Sequence, residues 1–171
     1  MAITLVSIHL LATLGLAGTI LAGYFLGHSG VSFEFHFVLA LISTLLALFA
    51  HCMTMFYFIG TGKILKDAAI ERGFEKELRV IERTRRMKAE TSGIATLAMV
   101  VIIVSFVIGG GAVPRPNIAI SPWIHGGAAI LGLLLHLAAF RAEFRNLVAN
   151  NLLNNEVTLR AARLGKPVEA T

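Results

Sequence analysis

Four stretches of this chain, approximately residues 3–26, 32–59, 93–113 and 122–140, are each long and apolar enough to cross a bilayer. About 20 helical residues span the roughly 30 Å of hydrocarbon. Inside that layer no water is available to the backbone, so each crossing segment has to satisfy its own peptide groups and becomes a helix. The fold class that follows is all-α: an integral membrane four-helix bundle, one unit over residues 1–171, with helical extensions into the cytoplasm over 60–92 and 141–164. The first stretch lacks a basic leader and a clean cleavage site, so it reads as a span and not as a signal peptide.

Composition agrees. At 56% hydrophobic and 15% charged residues, the chain is too apolar for an ordinary water-soluble domain of 171 residues. A single cysteine, Cys52, excludes an internal disulfide and any CxxC or CxxCH site, and with the latter a covalently attached c-type haem. The formal charge of +5 is read through its distribution. Nine of the 15 Lys and Arg residues fall within 63–88 and five at or after Arg141, which leaves Arg115 alone in the opposite loops. The positive-inside bias then puts both termini and the central loop in the cytoplasm, as in a bacterial-type inner membrane, and makes lipid head groups the partner of this charge, with no nucleic acid.

Local signals extend two of the helices into water. Ser121 is placed to cap and Pro122 to open a helix that meets no further Gly or Pro between Leu133 and Gly165, with Pro167 beyond. Unbroken, it would run about 43 residues and about 64 Å, with its second half outside the bilayer. In the central segment Ile70, Phe74, Leu78 and Ile81 form an apolar stripe, and Glu75/Arg79 and Glu82/Arg86 are spaced to pair. Gly15, Gly18 and Gly23 allow close contact along the first helix.

The six histidines are the informative residues, because an ionisable group at membrane depth is costly and usually faces a site or the bundle interior. His36 and His51 lie on helix 2, and His125 and His136 on helix 4. At 1.5 Å per residue, His36 and His125 fall roughly 10–15 Å to the outside of the midplane, and His51 and His136 roughly 5–8 Å to the inside. Each pair shares a helix face, and between its members run the small residues Ala40, Ser43 and Ala47 on helix 2 and Ala129 and Gly132 on helix 4. Such a stripe leaves room for something flat and wide. Haem b, one or two groups held by His36 with His125 and by His51 with His136, meets that description. Arg115 outside and Lys63 and Arg141 inside are the cations available to ring propionates. Two histidine pairs on two helices of a four-helix membrane bundle resemble the arrangement in small dihaem b-type membrane cytochromes. The resemblance implies electron transfer across or into the membrane, with a quinone and a larger redox complex or a homo-oligomer as partners.

Other groupings of the same residues are open. His9, His51 and His136 lie toward the cytoplasmic side and could converge from three helices on zinc or copper, with His28, His36 and His125 toward the outside. Equally, the histidines could pack within a membrane anchor or assembly subunit, or serve as a proton conduit. Cys52 and Met53 point off the His51 face. The only acid expected at the depth of a histidine is Glu34, near His36, so no Ser/His/Asp hydrolase can be assembled. Gly60–Lys63 and Gly109–Gly111 lack the context of nucleotide loops.

Overall fold

A computed structural model describes residues 2–26, 30–74, 76, 78–111 and 121–163. His28, Glu75, Arg115, Gly165 and Pro167, singled out above, lie outside the described residues. Four helices follow in order: α1 (Ala2–Tyr24), α2 (Phe33–Glu71), α3 (Val80–Gly111) and α4 (Pro122–Arg163). All four are long and apolar enough to cross a membrane, and the protein is an all-α membrane bundle. Large apolar side chains face outward along the spans, among them Leu14, Leu21, Leu45, Phe56, Val107 and Leu134. Such a surface suits lipid and would be an aggregation hazard in water.

The helix ends follow from local chemistry. The Ser32 hydroxyl accepts from the Phe35 amide at 3.2 Å and caps α2. Gly73, at φ 75°, closes it, with the Phe74 amide returning to the Ala69 carbonyl at 3.1 Å. The Ser121 carbonyl takes the Ile124 amide at 2.9 Å, and Pro122, which has no amide hydrogen to lose, opens α4. α1 and α3 each pack against both α2 and α4, and α2 meets α4 more narrowly across the bundle.

Two kinds of core hold the helices. Beyond the apolar spans, Leu65, Ala69, Phe74, Val80, Met87, Leu153 and Val157 bury one another where α2, α3 and α4 continue as a three-helix extension. Within the spans the contacts are smaller: Ala12, Ala47 and Ile102 in one cluster, Ala95, Ala98 and Ala139 in another. Gly15 lets α1 close on α2, since a Cβ there would meet the Ser43 hydroxyl.

The central apolar stripe is realised in part. Phe74 is buried and Leu78 partly so, but Ile70 and Ile81 are exposed, because the turn at Gly73 ends the helical period that would have aligned them. Arg79 bonds Glu82 within 2.8 Å, and Arg86 bonds Glu90 at 2.7 Å, in place of a Glu82/Arg86 pair. Leu153→Ala should lower stability by about 2–5 kcal/mol, as core truncations do, read from thermal unfolding of the detergent-solubilised protein. The neighbouring Leu152→Ala, at a side chain 57% exposed, should leave the midpoint nearly unchanged.

Candidate metal centre

Three helices each bring one histidine to a common point. His9 of α1, His51 of α2 and His136 of α4 are all fully buried, and nitrogens taken one from each ring lie within 4.8 Å of one another. A fourth buried group joins them. Glu143 follows His136 by two helical turns, which returns it to nearly the same face of α4. Its carboxylate lies 2.9 and 3.0 Å from His51 Nδ1 and 3.2 Å from His9 Nε2. The far side of His9 is closed by Phe140, whose ring stacks on it at 4.9 Å between centroids.

The hydrogen bonds of two threonines fix which nitrogens of His136 and His9 carry protons. The Thr13 hydroxyl donates to the His9 carbonyl at 2.8 Å, so toward His136 Nε2, at 3.0 Å, it can only accept. His136 is therefore protonated at Nε2 and offers a lone pair at Nδ1. The Thr54 hydroxyl likewise donates to the Ala50 carbonyl at 2.9 Å and accepts from His9 Nε2 at 3.1 Å. His9 Nδ1 is left as the lone-pair nitrogen, and it is buried with no hydrogen-bond partner. The Glu143 carboxyl accepts from His51 Nδ1 as the anion or donates to it as the neutral acid, so the His51 tautomer goes with the state of Glu143. His51 Nε2 stands 3.0 Å from His136 Nδ1. With Glu143 neutral, His51 Nε2 donates to His136 Nδ1 across this distance; with Glu143 ionised, two lone pairs face each other and call for a cation between them, a proton or a metal ion.

α4 continues the buried polar face toward the extension. Asn146 donates to the Met87 carbonyl and the Thr91 hydroxyl at 3.3 and 3.0 Å, and Asn150 to Tyr57 and Thr61 at 3.3 and 3.2 Å. These bonds tie α4 to α3 and α2 and fix the rotation of α4 that aims His136 and Glu143 inward.

The structure brings His51 and His136 together, as their depths implied, and joins His9 to them. His36 and His125 also meet, with ring centroids 6.3 Å apart. The small residues between the pairs, however, are taken up by helix contacts. Gly132 faces Ile102 of α3, whose Cγ1 would be 3.3 Å from an added Cβ, Ser43 lies against Gly15, and Ala47 packs with Ala12 and Ile102. Ala40 and Ala129 are partly buried. The inner imidazoles meet directly, with His51 Nε2 3.0 Å from His136 Nδ1. Cys52 is turned away to Met99 of α3, with sulfurs 3.8 Å apart.

Glu143 corrects the sequence reading, which placed it in the cytoplasmic extension and expected no acid beside the inner histidines. Its signal was present in the seven-residue spacing from His136, continued by Asn146 and Asn150 on the same face. Glu143→Ala leaves buried ring nitrogens of His51 and His9 without this partner and should cost about 1–3 kcal/mol, the usual penalty for an unsatisfied buried polar group. Glu143→Gln, which still bonds His51, should cost clearly less, and thermal unfolding of the two variants compares them.

No family model, curated protein or solved structure matches this chain.

Proposed function

We propose that this membrane protein binds one first-row transition-metal ion, zinc or copper, through His9, His51 and His136. The observation that supports this most directly is the convergence of three buried imidazoles, one nitrogen of each within 4.8 Å of the others. One nitrogen of each ring is held by Thr54, Glu143 or Thr13, His51 Nε2 and His136 Nδ1 stand together, and His9 Nδ1 is buried without a partner. Partners of this kind on the outer nitrogen orient metal-bound imidazoles and raise their basicity. The 3.0 Å between His51 Nε2 and His136 Nδ1 can be spanned by two metal–nitrogen bonds of about 2.0–2.1 Å meeting at a bent angle. Three imidazoles leave a coordination position free, as reactive and electron-transfer sites require, and neutral imidazole suits zinc and copper alike. Glu143 supplies the negative charge that makes a cation tolerable in the membrane interior.

A second reading is a b-type cytochrome with one or two haems, an electron carrier linked to quinone within a redox complex. It is favoured by the matched pairing of His36 with His125 and of His51 with His136. In both readings we place the termini and the polar extension in the cytoplasm, on the strength of the 14 basic residues on those segments. A single cysteine at position 79, in a Cys52→Ser background, should then be protected from an impermeant reagent in intact cells.

Metal analysis and an absorption spectrum of one purified preparation separate the two readings. We expect about one zinc or copper per chain after loading, retained through desalting and lost in His9→Ala, His51→Ala and His136→Ala, with no Soret band. Failure to retain either metal would overturn the metal reading. A Soret band that disappears in His51→Ala and His136→Ala but survives in His9→Ala would establish the cytochrome in its place.

A further inference from the structure

We infer that the outer histidine pair, His36 of α2 and His125 of α4, is a second metal site: a two-nitrogen site for a soft monovalent cation, copper(I). It goes beyond the inner centre and uses none of its residues.

The protonation of His125 is fixed by a neighbour that can only accept. His125 Nδ1 lies 3.1 Å from the Ser105 carbonyl of α3, so that nitrogen carries the hydrogen and Nε2 carries the lone pair. His36 Nδ1 is buried and without a partner. His125 thus has one nitrogen anchored to the backbone of α3 and its other turned free, and His36 holds a buried nitrogen that no protein group satisfies.

The neighbouring helices are also shaped to admit the rings. A Cβ on Gly23 of α1 would lie 2.9 Å from His36 Cε1, and one on Gly109 of α3 would lie 2.7 Å from His125 Cε1. Glycine at these two positions is what allows the imidazoles to lie against the backbone, with their planes at 84°. Plain packing would be served as well by alanine and an apolar side chain.

The donor set selects the ion. Two neutral nitrogens with no carboxylate bonded to either among the described residues cannot offset a divalent charge at membrane depth, where uncompensated charge is costly. Zinc in structural and catalytic sites takes at least three protein ligands. Copper(I), closed-shell and singly charged, accepts two ligands in line, and imidazole is among its donors.

The test is anaerobic copper(I) titration of the purified full-length protein in detergent against a chromogenic copper(I) chelator, with X-ray absorption at the copper edge. Wild type should bind one copper(I) more than His36→Ala or His125→Ala, and that added ion should show a shell of two nitrogens. His51→Ala should keep this outer ion, so loss of the inner centre and loss of the outer one are told apart. Gly23→Ala, which retains both ligands and pushes the His36 ring, should weaken the outer ion at least about tenfold. Equal copper in wild type and both outer variants would overturn the proposal. So would stronger retention of zinc than of copper(I) at this pair, or a haem spectrum dependent on it.

Discussion

The contact between the Glu143 carboxylate and the His51 imidazole, 2.9 Å long and shielded from both solvent and lipid, constrains the rest of the bundle. A carboxyl group and three imidazoles brought to this depth lose their hydration, and an uncompensated charge there costs several kcal/mol. That cost is offset only if α1, α2 and α4 keep one register, so that each ring finds its hydroxyl, carboxylate or imidazole partner. Sliding one of these helices by a single turn, 5.4 Å, would break every contact that helix makes in the cluster at once.

The packing supplies that register from both sides. In the lipid layer no hydrophobic drive separates one helix from another, and close approach of small residues has to do the work. Gly15 on Ser43, Gly132 on Ile102 and Ala139 among Ala95 and Ala98 are such approaches. Outside the layer the drive is the ordinary burial of Leu65, Phe74, Met87 and Leu153. The asparagines Asn146 and Asn150 lie between these zones. Their bonds to α3 and α2 set the rotation of α4, and thereby the direction of His136 and Glu143.

Much of this was legible in the sequence. Hydropathy gave the four helices, Ser121 and Pro122 the start of α4, and helical rise the meeting of His36 with His125 and of His51 with His136. What periodicity on single helices could not give was the third dimension. A stripe of Ala and Gly reads the same whether a cofactor or another helix fills it, and here α1 and α3 fill it. Glu143 was hidden by its neighbours: Arg141 and Arg145 flank it and make the segment look solvated, although a helix turns each of them to a different face. The partners of the imidazoles, Thr13 and Thr54, carry no sequence signal apart from their places on α1 and α2.

The central claim is that three imidazoles, from His9, His51 and His136, share one metal ion. Extended X-ray absorption fine structure of the singly loaded His36→Ala protein measures this most directly, because imidazole rings give a characteristic outer-shell scattering that counts them. The account predicts three imidazoles around one zinc or copper, falling to two in His9→Ala wherever the ion is retained. A shell of oxygens alone, or the four in-plane nitrogens of a macrocycle with two axial imidazoles, would contradict it.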